Sequence, residues 1–418
     1  MKNRLLERFL RYVAVDTRSD PASESCPSTP GQAHFLRMLA GELRELGAED
    51  VTMDGFGYVT ATLPTTKGCE NDAVVAFLAH VDTSPDEPGA DVRPQVIENY
   101  DGGDIRLGEL TMRAADYPEL ALCKGHTLVT TDGRTLLGAD DKAGVAVIVT
   151  AAEELLRNPS RRHGAVRVAF TPDEEIGRGV DRFDVAAFGA DYGYTVDGGA
   201  EGELEYENFN AAVARIVVTG RNMHPGTAKG RMINALLVAH EFVAMLPPDE
   251  RPETTEGREG FFHLTELRGD VGRAELEYIL RDHCAERFEA RKELLAQIAG
   301  RINERYGPQT VALTVKDQYL NMRPVVEKRP EVIARAQRAM RQAGVTPVIK
   351  PIRGGTDGAR LSHMGLPCPN IFTGGANFHS RYEYCSLDTM ARAVGTVLNI
   401  ASETSDYQSI VGFPTEAR

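Results

Sequence analysis

Three apolar runs of strand length end directly in acidic or histidine-bearing motifs, and this recurrence constrains the fold more than any other feature of the chain. Ala73–Ala79 (AVVAFLA) runs into HVDT, Val166–Phe170 into TPDEEIG, and Tyr192–Val196 into DGG. Between the first two, Lys142–Leu156 (KAGVAVIVTAAEELL) reads as a buried helix beginning just after a GAD motif. Short continuous apolar runs suit strands buried on both faces, and strands alternating with helices build an α/β sheet. Polar residues at the C-terminal ends of such strands stand where open α/β sheets place their sites. Leu5, Leu6, Phe9, Leu10 and Val13 recur at helical spacing. So do Phe35, Leu36, Leu39, Leu43 and Leu46, a run that Gly47 closes as a C-cap. The Pro-, Gly- and Asp-rich stretch Ser84–Thr130 reads as hairpins and loops inserted after the first strand, expected to wall the site.

At 418 residues the chain exceeds one ordinary core, so two domains are expected. The pattern changes near Glu207. Ala212–Thr219 alternates as a strand, Ile233–Leu246 reads as a helix, Phe261–Arg268 and Ala274–Arg281 as paired strands, Cys284–Asn303 as a charged helix and Thr310–Lys316 as a last strand. This β-α-β-β-α-β order predicts a ferredoxin-like α+β lid. The α/β pattern then resumes with helix Pro330–Ala343, strand Val348–Ile352 and a helix from Leu387 to about Ser402. The expected layout is a discontinuous catalytic domain, 1–207 and 318–418, with the lid at 208–317 inserted.

The net charge of −14 argues against nucleic acid or an anionic membrane as a main partner. Six cysteines without CxxC spacing fit reduced thiols. The N-terminal MKNRLLERFLRYV is an amphipathic helix start without the apolar core of a signal peptide, and no run of about 18 apolar residues suggests a membrane span. A soluble, cytoplasmic protein is expected.

His80 and Asp82 stand two apart at a strand end, so both side chains project on one face. A zinc-bound imidazole commonly gives its other N–H to a carboxylate, and HVD supplies either those two partners or two neighbours of one metal. In GADDKAG, one of two carboxylates bridges a pair of cations, or the pair merely caps the helix. TPDEEIG sets three carboxylates side by side, which repel unless a cation, a proton or solvent relieves them. Adjacent glutamates there can divide the work of ligating metal and holding a proton. Asp197 ends a strand before two glycines, as a ligand or as part of a turn. His379 lies late in the chain, in NFHSRYEY. His240, inside an apolar helix, is expected to be packed, and the other histidines outside these motifs carry no local signature. His80, Asp197, one GADD aspartate, one glutamate and His379 suit a pair of zinc, cobalt or manganese ions; they lack the thiolates of a structural zinc site.

The segments HVDTSPD, LLGADDKAG, FTPDEEIGRG, NMHPGTAKG with its following NAL, RGGTDGARLS and NFHSRYEY resemble the peptidase T family of tripeptide aminopeptidases. That family belongs to a larger group of two-zinc exopeptidases and deacylases, and the likeness covers nearly the whole chain. It implies a mixed-sheet, two-zinc aminopeptidase-like catalytic domain beneath the lid. By the same likeness, His80 and Asp197 bind one zinc, Glu175 and His379 the other, and Asp140 (the residue two before Lys142) bridges them. A cis peptide follows Asp140, Glu174 is the general base, and Asp82 supports His80. His224, in NMHPGTAKG, is implied to stabilise the oxyanion, and Arg281 and Arg353 to grip the substrate's C-terminal carboxylate, which a guanidinium fits with two parallel bonds. The implied reaction removes the N-terminal residue from a tripeptide. The alternative is a carboxypeptidase or N-acyl amino acid deacylase on the same metal framework. Lids of this group often mediate dimers, which adds a homodimer to the expectations.

Overall fold

A computed structural model describes residues 1–403. Among these residues, the first unit comprises Met1–Tyr206, Pro324–Lys350 and 356–403; the second comprises Glu207–Arg323 with Pro351–Gly355.

In the first unit the three apolar runs lie at the middle of an eight-stranded mixed sheet. Its order is Glu49–Met53, Val59–Leu63, Val166–Thr171, Val75–His80, Tyr192–Gly198, Asn370–Phe372, Glu203–Glu205, Val348–Ile349. Val75–His80 is buried throughout and parallel to both neighbours. Alternate side chains explain why it reads as one continuous apolar run. Val75, Phe77 and Ala79 enter a core shared with helices Lys2–Val13, Pro30–Leu46, Ala139–Arg157, Pro330–Gln342 and Leu387–Ser402. Ala76 and Leu78 point the other way, to Tyr58, Phe183, Phe188 and Leu361.

Parallel alignment also decides where the polar strand ends fall. His80 pairs opposite Thr171, and Leu78 opposite Thr195; two residues further along each strand, Asp197 comes level with His80. The turn after Thr171, His80 and Asp197 therefore share one edge of the sheet. The inserted stretch Ser84–Thr130 carries the hairpin Ile105–Leu107/Leu110–Met112 and the strands Gln95–Ile97 and Leu128–Thr130. Leu128–Thr130 pairs with Tyr384–Ser386, just downstream of His379.

The second unit is an antiparallel sheet in the order Phe261–Gly269, Arg273–Asp282, Asn210–Thr219, Val311–Tyr319. Helices Ala235–Ala244 and Ala285–Tyr306 cover it through Val238, Phe242, Phe288, Leu295 and Ile298. The β-α-β-β-α-β order is thus present in the chain segment where its periodicity changes.

Two local expectations fail. His240 is exposed rather than packed: its helix buries Ala235, Val238, Ala239 and Phe242, a stripe at helical spacing that leaves Leu236, Leu237 and His240 outside it. The strand expected over Val348–Ile352 stops at Ile349. Pro351 has no N–H to give a ladder, and Ile352 pairs instead with Asn208 of the second unit. All six cysteines are free, and among the described residues no helix is long and apolar enough to cross a membrane.

The buried helix and the sheet meet at Gly144, where a Cβ would lie 1.8 Å from Val196 O and 2.3 Å from Asp141 Oδ1. Backbone cannot yield there as a flexible side chain would. Gly144→Ala is expected to destabilise the first unit by about 1–3 kcal/mol or more, as overpacking does. Comparing the thermal unfolding of the metal-free variant and parent checks this; equal midpoints would refute the contact.

Candidate metal centre

His80 ends its strand with both ring nitrogens engaged. Nδ1 lies 3.1 Å from Asp82 O and 3.3 Å from Asp82 Oδ1. Nε2 lies 2.8 Å from Asp140 Oδ1 and 3.4 Å from Asp197 Oδ1. On the opposite side of Asp140, His379 Nε2 lies 3.4 Å from Asp140 Oδ2 and 2.9 Å from Glu175 Oε2. Asp140 thus turns one oxygen to each histidine. Two clusters share it, His80/Asp140/Asp197 and Asp140/Glu175/His379, and in each the potential donor atoms all lie within 4.8 Å of one another.

The backbone that carries these groups departs from regular structure where it must. Asp140 and Asp141 are non-helical within the segment Ala139–Arg157, and the peptide between them is cis. Asp173 and His379 adopt left-handed φ of 59° and 58°, uncommon for non-glycine residues, though aspartate, asparagine and histidine tolerate it better than most. The Asp173 carboxylate anchors its turn by accepting from Ser28 N–H and Gln32 Nε2, while Gln32 Oε1 accepts from Asp173 N–H. Asp82, fully buried, accepts from the N–H groups of Glu174 and Glu175 at 3.0 and 3.1 Å, one on each oxygen. It therefore fixes the two-glutamate turn as well as facing His80. Asp197 N–H donates to Asn370 Oδ1 at 3.1 Å, and Asn370 Nδ2 in turn donates to Glu205.

Three further carboxylates, outside the two clusters, also line this region. Asp141 accepts from His80 N–H and Gly144 N–H. Asp357 accepts from Thr171 Oγ1 at 2.9 Å and packs against Gly179, where any side chain would collide with it. Glu383 accepts from the N–H groups of Leu137, Gly138 and Asp140. Each sits inside a motif already singled out (GADDKAG, RGGTDGARLS, NFHSRYEY). The available signal is an extra acid beside another acid, beside a glycine or between tyrosines, which sequence alone cannot tell from an ordinary turn.

Titration follows from the crowding. Burial pushes the Glu174 carboxyl well above its ordinary range, and the negative charges of Asp357, Asp197 and Glu175 add to it, against the pull of His80. Burial and Asp140 raise Glu175 to about 8, with His379 opposing. Burial raises Asp197 to about 6 and Asp357 to about 7. Burial alone would lower His80 and His379, but the surrounding carboxylates outweigh it and hold both above their usual value. Within the two clusters, Asp140 alone is held below the usual carboxylate range: its two imidazole partners overcome burial.

The donor set fits a pair of divalent cations. Imidazole and carboxylate suit zinc, cobalt or manganese. Glu175 Oε1 is buried without a hydrogen-bond partner, a costly state for a carboxylate oxygen that a cation would relieve.

The remaining expected site residues stand in the second unit. His224 is exposed at a turn, with Nδ1 accepting from Gly226 N–H. Arg281 is half-buried over the Tyr319 ring at 5.4 Å and bonds Leu280 O at 2.9 Å, Ala212 O at 3.4 Å and the Tyr319 side chain. Arg353 is occupied differently: its two Nη groups donate to Gly257 O, Glu259 O, Thr255 O and Thr255 Oγ1. Its guanidinium also lies over Phe209 and Phe261. In this arrangement Arg353 braces a loop and has no free Nη pair for a carboxylate.

Known proteins share this sequence and this fold. The profile of Peptidase family M20/M25/M40 matches residues 125–403. Peptidase T of Geobacillus sp. (strain WCH70) is 56% identical over 403 residues, 96% of this chain and 98% of its own. Peptidase T of Clostridium perfringens is 55% identical over 396 residues, 94% and 97% of the two chains. Among solved structures, an aminopeptidase PepT from Bacillus cereus aligns with a TM-score of 0.77 at 23% identity, covering 96% of this chain and 98% of that one. A dinuclear metal-binding peptidase of the M20 family from Bacillus subtilis aligns with a TM-score of 0.65 at 15% identity, covering 96% and 97%. With a profile spanning most of its length and relatives matched almost end to end, the chain belongs to peptidase family M20/M25/M40, within the peptidase T group.

Proposed function

We propose that the protein is a two-zinc aminopeptidase that removes the N-terminal residue from tripeptides. The observation that carries this reading is Asp140, whose two oxygens face two different histidines, with Glu174 outside both clusters that share it. His80 and Asp197 would hold one cation, Glu175 and His379 the other, and Asp140 both. When bound, such a pair supplies Lewis acidity, polarising the scissile carbonyl and bringing the pKa of water toward neutrality. Peptidase T relatives matched over 94% or more of this chain favour the tripeptidase over a carboxypeptidase or N-acyl amino acid deacylase.

The chain's own groups then divide the work. Glu174 takes the proton of the attacking water on its carboxylate and hands it to the leaving amine, a transfer typically worth about 10²–10⁴ in rate. Asp82 holds the Glu174–Glu175 turn and keeps His80 oriented, as carboxylates behind ligating imidazoles do. His224 donates to the developing oxyanion. Arg281, whose guanidinium bonds two carbonyls and the Tyr319 side chain, receives the substrate's C-terminal carboxylate; Arg353 would do so only by releasing its loop carbonyls.

Zinc-loaded protein incubated with di-, tri- and tetrapeptides is expected to release the first residue of tripeptides. EDTA should abolish the release, and added zinc, cobalt or manganese should restore it. Mass spectrometry identifies the products, and release of the last residue instead would overturn the reading. Glu174→Ala is expected to keep its metal, measured by atomic emission, while kcat falls by at least about 10²–10⁴; full turnover would remove Glu174 from its role. Amidating the tripeptide's C-terminus deletes the charge Arg281 is proposed to meet. Charged hydrogen bonds contribute about 1.5–3 kcal/mol, so kcat/KM should drop roughly 10- to 150-fold, and equal rates would defeat the carboxylate grip.

A further inference from the structure

The loop carrying Asp140 and the loop carrying His379 are distant in sequence, yet one buried carboxylate joins them. Glu383 is 1% exposed. Its Oε2 accepts from Leu137 N–H at 2.7 Å and Gly138 N–H at 2.8 Å, and its Oε1 from Asp140 N–H at 3.1 Å. These three donors lie before or within the first turn of the segment Ala139–Arg157, where an N–H has no intrahelical partner. Gly138 is left-handed and Asp140 non-helical, so no regular hydrogen-bond pattern holds the segment in place of Glu383. On its own side, Glu383 lies four residues after His379. Its N–H closes a turn on Ser380 O, and the strand Tyr384–Ser386 that follows is paired with Leu128–Thr130.

The two clusters do not depend on this link equally. His80 and Asp197 sit at the ends of buried central strands, and Asp197 N–H has its own partner in Asn370. His379 sits on a loop, 40% exposed and with left-handed φ. The distance from Asp140 Oδ2 to His379 is set by how the Asp140 backbone is held against the His379 loop, which is what the Glu383 bonds determine. We infer that Glu383 is a positioning residue that couples the two cation sites, aligning Asp140 for the His379–Glu175 site while leaving the His80–Asp197 site largely self-supporting. This rests on the two-cation reading above.

The test is titration of the metal-free full chain with Co2+, followed by calorimetry and by the visible absorption of the bound ion. The parent is expected to take up two Co2+. Glu383→Gln keeps the side chain's shape but turns an NH2 toward backbone donors. It should bind the first Co2+ within about threefold of the parent and the second about 10- to 100-fold more weakly, the range for lost partners of metal ligands. Its kcat should recover as excess Co2+ fills the second site, a rescue that a merely structural role does not provide. Should Glu383→Gln not fold, Glu383→Asp, which keeps the charge but is too short to reach all three N–H groups, carries the same titration. Parent-like affinities and spectrum in the variant would overturn the inference. So would equal weakening of both sites together with a lower unfolding temperature of the metal-free protein. A parent that binds fewer than two Co2+ would instead overturn the two-cation reading itself.

Discussion

Asp82, Asp140, Asp141, Glu174, Glu175, Asp197, Asp357 and Glu383 bring eight carboxyl groups to the ends of the central strands, where His80 and His379 are the imidazoles that face them. Two like charges about 4 Å apart repel by roughly 4 kcal/mol even at an effective dielectric of 20. Burial, reinforced by this repulsion, pushes most of these carboxyls upward, while the surrounding carboxylates raise both imidazoles. Two divalent cations would neutralise it without protons. The parallel strand register, the left-handed turns and the buried supporting acids all serve to keep that concentration of charge in one place.

The supporting acids divide into two kinds. Asp82 and Glu383 each accept from backbone N–H groups on both oxygens, fixing the turns at Glu174–Glu175 and at Leu137–Asp140, and Asp82 also faces His80 Nδ1. Asp140 and Glu175 face imidazoles and leave oxygen density turned toward the clusters. A carboxylate already answered by N–H dipoles attracts a cation less than one that is not. Identical functional groups a few ångströms apart are therefore suited to different tasks.

Much of this was legible in the sequence because burial and chemistry coincide there. The central strands are apolar on both faces, so Ala73–Ala79, Val166–Phe170 and Tyr192–Val196 stand out, and the polar residues at their ends follow directly. The alternation in the second unit was equally plain, since one face of its sheet is covered by helices. What escaped reading depends on contacts far apart in the chain. Glu383 matters through N–H groups more than two hundred residues earlier. Arg353 is absorbed by carbonyls of a loop that nothing in RGGTDG announces. His240 was misjudged because its helix is apolar on more than its packed side, so composition concealed which stripe was buried.

The position of the inserted unit is consistent with the same electrostatic requirement. Asn370–Phe372, which follows the insertion, lies between Tyr192–Gly198 and Glu203–Glu205, which precede it. The late segment is thus stitched into the sheet beside the strand that carries Asp197, and the Asn370 side chain bonds the Asp197 backbone directly. Every residue of both cation clusters belongs to the first unit, whatever its distance along the chain. The residues proposed to meet the peptide itself, His224 and Arg281, belong to the second. A cluster whose charges must balance within a few ångströms tolerates little displacement, whereas groups that meet a substrate must admit and release it. Confining both clusters to the elements of one unit meets the first demand, because the parallel register and the Asn370 bond fix the strand ends against one another.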